Sequence, residues 1–217
     1  MSVLNINFAP GRIDLLSDTL CYSGGEPHSL CETKTHVAPS GRFAWTTRGY
    51  VSLGERFDEM AAGLADADGA ILAARVFAET LADDAVGKGL EITVAGWSDR
   101  LGALAVQMVT KAPREPVQAE TFTEGVHLLP RPATLPPMPS TVSEAQFIRL
   151  ALAQWKVRDQ FMGQLCIGGV MHLTTVTAAG ADQRIVGLYP DHAQHAEAFS
   201  DPNAAAVAAF LAQQAAA

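Results

Sequence analysis

Cysteine is scarce in this chain: only Cys21, Cys31 and Cys166 occur in 217 residues. The count is odd and no pair has metal-ligand spacing, so neither a disulfide framework nor a metal site is expected, and the three read as reduced thiols. Long apolar runs are missing too. No stretch of about 18 continuous apolar residues occurs, which excludes a membrane-spanning helix. Positive charge is in deficit, with 15 Lys and Arg against 23 Asp and Glu and a formal net charge of −8. That balance disfavours nucleic acid and anionic membrane as partners. No secretory signal is recognisable, so the cytoplasm is the expected location. Neither an internal repeat nor a linker interrupts the chain, and 48% hydrophobic content suits a single domain spanning 1–217. Gly24-Gly25 and Gly168-Gly169 lack the strand–loop–helix context and downstream lysine of a phosphate loop, and no cofactor is expected.

What the chain does have is three chemically capable residues at even spacing. Sixteen positions separate Ser2 from Asp18, and sixteen separate Asp18 from Lys34. Loss of Met1 would leave Ser2 with a hydroxyl nucleophile and its own base, since an α-amine titrates near pH ~8. A nearby ammonium lowers the pKa of that amine, and a carboxylate orients the lysine. The sequence between them folds the three together. Residues Val3 to Phe8 alternate apolar and polar, with Leu4, Ile6 and Phe8 on one face of a half-buried strand. Ala9-Pro10-Gly11-Arg12 signals a turn, and Ile13 to Leu16 resume an extended pattern. A tight turn there pairs residues whose numbers sum to about 21, which brings Ser2 beside Asp18 or Thr19.

The stretch from Ser2 to Gly49 resembles the start of proteasome β-type subunits, members of the N-terminal nucleophile hydrolases. The family's nucleophile, aspartate pair, intervening segment, lysine and strand into a glycine loop correspond to Ser2, Ser17-Asp18-Thr19, Cys21 to Cys31, Lys34, and Phe43 to Gly49. Ile92 to Asp99 followed by Leu101-Gly102 looks like the family's central hairpin, and Gly168-Gly169 like the double glycine after its third helix. The resemblance implies an α+β fold, a four-layer αββα sandwich of two antiparallel sheets between helices. It implies Ser2, Asp18, Lys34 and the backbone near Gly49 as the catalytic set, with no metal and no cofactor. It also implies a ring-like homo-oligomer, a peptide or amide substrate, and an unfoldase as a possible partner. Some of the family's supporting residues are replaced. Gln164 stands at its aspartate position, Ile167 at its serine position, and Phe122-Thr123-Glu124-Gly125 lacks its Ser-Gly. Two readings follow: an N-terminal-serine peptidase, and an inactive structural or assembly subunit with the same fold, whose Asp18–Lys34 pair holds two hairpins in register.

The remaining pattern fits the same architecture. Phe57, Met60, Ala61 and Leu64 mark one amphipathic helix, and Ile71, Ala74, Phe77, Ala78 and Leu81 a second that ends at Gly87-Lys88-Gly89. Strands are expected at Leu90 to Val94, Leu104 to Met108, Val170 to Thr177 and Arg184 to Tyr189. The span 129–140 holds five prolines and reads as an irregular loop. Ser143 caps a helix to about Met162, with Phe147, Ile148, Ala151, Leu152 and Trp155 as its stripe. Asp201-Pro202 opens an alanine-rich helix over 202–217. His192 and His195 read as a solvated pair rather than metal ligands, and His172 as a satisfied core histidine. Cys31, three residues from Lys34, is the thiol whose pKa a lysine would lower, though packing is its favoured role. Ala61, Ala62, Ala65, Ala73, Ala74 and Ala78 give the first two helices small-residue faces suited to subunit contacts.

Overall fold

Alternating strand residues in this chain feed two different cores. A computed structural model describes residues 3–23, 25–87, 89–131, 138–158 and 167–216. It is an α+β protein built on two five-stranded antiparallel sheets. The first sheet has the order β10-β1-β2-β11-β12, from Val126–Leu129, Leu4–Ala9, Arg12–Ser17, Val170–Thr177 and Ala181–Leu188. The second runs β5-β6-β7-β8-β9, from Thr35–Val37, Phe43–Arg48, Leu90–Ser98, Ala103–Lys111 and Gln118–Phe122. A two-stranded hairpin, β3 (Leu20–Ser23) with β4 (Glu26–Leu30), stands apart from both.

Leu4, Ile6, Ile13 and Leu15 of the first sheet share one buried cluster with Ala44, Ala95 and Val106 of the second. The neighbouring positions serve other cores. Phe43, Trp45, Ile92, Val94 and Val109 bury against Leu53 and Phe57 of α1 (Val51–Ala61) and Ile71 and Phe77 of α2 (Ala67–Thr80). Val3, Leu16, Leu128 and Leu173 bury with Phe147 and Ala151 of α3 (Glu144–Lys156). Strands covered on both faces explain one departure from expectation: β1 is not half-buried. Asn5 and Asn7 are as inaccessible as Leu4 and Ile6. A buried amide has to be bonded; both asparagines donate through Nδ2, while Asn5 Oδ1 finds no partner among the described residues. Asn5 Nδ2 donates to Gln154 Oε1 at 2.6 Å, while Asn7 brackets Val142, donating to its carbonyl at 3.1 Å and accepting from its N–H at 3.0 Å.

Other boundaries shift for local reasons. Helix α2 ends at Thr80, well before Gly87: Leu81 turns extended and the Thr80 hydroxyl folds back onto the Phe77 carbonyl. Met60, assigned to the buried stripe of α1, lies on its outer side, and Leu64 packs on the core from beyond the helix end. Ser143 caps α3 through a capping box with Gln146, and the helix closes at Lys156; Met162, its expected end, lies outside the described residues. Leu129, at the edge of the expected loop, is the last residue of β10, and 132–137 lie outside the described residues. Two helices follow β12, α4 (His192–Ala198) and α5 (Ala204–Ala216). Among the described residues no helix is long and apolar enough to cross a membrane.

Candidate functional site

The register of the first hairpin is the one its turn dictates, with Leu4 opposite Ser17 and Ile6 opposite Leu15. One step further along that ladder, the Val3 N–H donates to Asp18 Oδ1 at 3.1 Å. The other carboxylate oxygen receives Lys34 Nζ at 2.9 Å and the Gly168 N–H at 3.4 Å. Lys34 arrives from the second sheet, immediately ahead of β5, and its Nζ also donates to the Leu20 carbonyl at 2.5 Å. Asp18 and Lys34 therefore converge as their spacing predicted. Two further bonds stitch the sheets at this point: Thr35 Oγ1 donates to Ser17 Oγ at 3.1 Å, and Gln183 Nε2 donates to the Thr35 carbonyl at 2.7 Å.

The double glycine is required by contact as well as by backbone shape. Gly168 O accepts from the N–H groups of Thr19 and Leu20, and the Val170 N–H donates to Thr19 Oγ1 at 2.9 Å. Gly169 has φ +80°, and a Cβ there would meet Thr19 Oγ1 at 2.4 Å. No other residue type fits that position without moving the segment that carries Asp18. Ile167, just ahead, is fully buried in the cluster that contains Val3. Gly49, assigned to the oxyanion loop, follows β6 with φ +145°, and a Cβ on it would strike the Gly89 carbonyl at 2.8 Å. Ser2 and Gln164 lie outside the described residues.

Electrostatically the pair is sealed. Burial raises the Asp18 carboxyl above its ordinary value, against the opposing pull of Lys34 and of the Val3 and Gly168 N–H donors. Burial pulls Lys34 down, but Asp18 and the thiols of Cys31 and Cys21 together carry it above its usual value, so the ammonium is charged at neutral pH. Tyr189 is buried next to the same charges, and burial together with Asp18 and Asp191 holds its hydroxyl well above the usual value.

The hydrogen bond between the two thiols shifts them in opposite directions, Cys31 up and Cys21 down. The Cys21 pKa is lowered to about 6, chiefly because the Cys31 thiol hydrogen-bonds to it and Lys34 lies near, with burial opposing. Cys31 is driven far above its usual value, first by that same hydrogen bond and then by burial. Both thiols lie within the field of Lys34, so proximity to the lysine does not distinguish them; their mutual hydrogen bond does.

The two histidines of the chain's last third are corrected. They are not solvated, because α4 turns both inward. His192 Nε2 lies 3.0 Å from Asp201 Oδ2, and His195 Nε2 3.4 Å from Asp191 Oδ2. Each takes its own carboxylate, and among the described residues no group of three His, Cys, Asp or Glu side chains is placed to hold a metal ion. Asp191 is additionally bonded by Arg158 at 2.5 Å and Trp155 at 3.0 Å, joining α4 to the end of α3, a cluster that no motif announced. His172 sits in the core as expected, yet neither ring nitrogen finds an ordinary hydrogen-bond partner among the described residues.

The architecture is thus α+β, with a buried aspartate–lysine pair where the N-terminal strand meets the second sheet. No protein-family model matches the chain, and no curated protein matches it.

Proposed function

We propose that this chain is a cytoplasmic N-terminal nucleophile hydrolase, related to proteasome β-type subunits, whose Ser2 cleaves peptide or amide bonds once Met1 is lost. Its sheets and helices would stack as a four-layer αββα sandwich. That stacking is supported by the three clusters: one of sheet against sheet, one of sheet against α1 and α2, one of sheet against α3. The observation that carries the functional reading is Asp18 clasped between the Val3 N–H and Lys34 Nζ. Ser2 is one peptide unit from that anchored nitrogen, about 3.8 Å between Cα atoms. A free α-amine on Ser2 would therefore stand beside a buried, charged lysine.

The chemistry follows from those roles. Ser2 Oγ attacks the scissile carbonyl while the α-amine takes the hydroxyl proton. The amine then returns that proton to the departing nitrogen, leaving an acyl ester on Ser2. Water, deprotonated by the same amine, attacks the ester, and Oγ leaves with the proton. Lys34 keeps the amine neutral by its field, Asp18 fixes Lys34, and backbone N–H groups near Gly49 stabilise the oxyanion.

One observation favours the second reading, an inactive structural or assembly subunit. Ile167 is buried where the family places a serine, so that position supplies no hydroxyl to orient the amine. Hydrolysis of fluorogenic peptide amides and esters, by protein whose intact mass shows Met1 gone, decides between the two. Turnover that falls by at least about a hundredfold in Ser2→Ala and in Lys34→Ala supports the enzyme. No turnover, and no covalent adduct from an inhibitor directed at N-terminal nucleophiles, leaves the structural subunit.

A further inference from the structure

The β3–β4 hairpin carries chemistry that the hydrolase reading does not use. Leu20 pairs with Leu30 and Cys21 with Ser29, and the Cys31 N–H extends the ladder by donating to the Thr19 carbonyl at 3.0 Å. Residues two apart on a strand share a face. Cys21, diagonal to Cys31, therefore projects on the same side of the hairpin. Both sulphurs lie against one oxygen, Cys31 Sγ 3.1 Å and Cys21 Sγ 3.9 Å from the Thr19 carbonyl oxygen. Both are free and half-buried, within reach of a small solute. Lys34 Nζ is bonded to the Leu20 carbonyl, on the residue between Thr19 and Cys21. A β-bulge at Cys21/Tyr22 breaks the regular ladder there, and bulges bend and twist a strand locally. Closing a disulfide across this diagonal requires the strands to shift locally, and the bulge marks where the ladder is already irregular.

We propose that Cys21 and Cys31 form a peroxide-reactive dithiol, in which Cys21 is oxidised by a hydroperoxide and Cys31 resolves it into a disulfide across the β3–β4 hairpin. The Cys21 thiolate attacks one peroxide oxygen, the O–O bond breaks, and hydroxide leaves to become water on taking a proton. Cys21 is then a sulfenic acid, oxidised by two electrons. Cys31 sulphur attacks it, giving up its proton as the S–O bond breaks, so that an S–S bond forms and a second water departs. Two thiols and one hydrogen peroxide give one disulfide and two waters.

The environment supports the division of labour. Cys21 is the low-pKa, accessible thiol that such oxidation selects, through its Cys31 hydrogen bond and Lys34, with Ser29 also favouring the thiolate and Asp18 opposing it. The largest influence holding Cys31 protonated is its bond to the Cys21 sulphur, and oxidation of Cys21 removes it. The disulfide would brace the segment whose Leu20 carbonyl holds Lys34, whether or not Ser2 is a nucleophile.

The sequence makes the test direct. No lysine or arginine lies between Arg12 and Lys34, so trypsin leaves both cysteines in the peptide Ile13–Lys34 and Cys166 in another. Reduced full-length protein is treated with an equimolar amount of hydrogen peroxide, then with iodoacetamide, and digested. The expected Ile13–Lys34 peptide is about 2 Da lighter than the reduced one, carries no alkyl group and reverts with dithiothreitol. In Cys31→Ser, dimedone should trap a sulfenic acid on Cys21; in Cys21→Ser, peroxide consumption should fall at least about tenfold. Because only the thiolate reacts, alkylation of Cys21 in the untreated protein should fall away as pH drops through about 6, instead of through 9.0. Alkylation of both cysteines after peroxide, a disulfide to Cys166, or over-oxidised Cys21 without ring closure would each overturn the proposal, and all are read on the wild-type chain.

Discussion

Asp18 is bonded on both carboxylate oxygens by three donors from three separate stretches of chain, Val3, Lys34 and Gly168. Removing one partner from such a buried pair leaves a charge without compensation, which costs about 3–5 kcal/mol, whereas removing both is far milder. Lys34→Met should accordingly destabilise the protein by about that amount in urea unfolding, and adding Asp18→Asn should restore more than half of it. Additive losses in the double variant would mean that the pair contributes nothing as a pair. The sign with pH follows from Lys34, whose folded pKa is raised. Its share of the stability is complete below the unfolded value near 10.5 and is lost as pH climbs through the folded one.

At the scale of elements, α3 is joined to the first sheet through polar as well as apolar contacts. Gln154 is fully buried and accepts from Asn5 of β1 at 2.6 Å while donating to the Pro130 carbonyl at 2.8 Å. Gln154→Leu keeps the volume but orphans both partners, so a loss of about 1–3 kcal/mol is expected from thermal or urea unfolding. A neutral result would show that water replaces the amide. This bridge also marks where the sequence stopped being legible. Leu4, Ile6, Phe147 and Ala151 were readable as core from periodicity, and Ser17-Asp18-Thr19 with Lys34 from their spacing. Asn5 and Asn7 read as the polar face of a half-buried strand and Gln154 gave no signal, because polarity in a sequence does not reveal a partner as far off as the 149 residues between Asn5 and Gln154. The Asp191 cluster was hidden for the same reason. His192 and His195 are polar residues in a polar stretch until α4 and Asp201 fold over them.

On the scale of the whole molecule, the expected subunit faces divide. Ala61, Ala74 and Ala78 are spent on the chain's own core, so the small-residue stripe is not an intermolecular contact at those positions. What α2 presents outward is Leu72 and Val76, 64% and 51% exposed and one helical turn apart. If rings form, this is the face that should lie in the contact. Light scattering at low micromolar concentration should then give one discrete large mass, and Leu72→Glu with Val76→Glu should return it to monomer without loss of helical signal. A monomeric wild-type chain would end the ring proposal and leave a free-standing protein of the same fold.

The strand order has a consequence for how the chain is made. The second sheet and its two helices come from one continuous stretch, residues 35–122, and can close as that stretch leaves the ribosome. The first sheet cannot. Its β1–β2 hairpin finds β10 only after residue 129 and β11–β12 only after residue 188. At typical synthesis rates of about 5–20 residues per second, that hairpin waits on the order of ten seconds with Val3 and Leu16 uncovered, since their cluster is completed by Phe147, Leu173 and Val186. The β1–β2 hairpin is thus made before the second sheet yet enclosed after it, and has to stay soluble until β11 and β12 emerge.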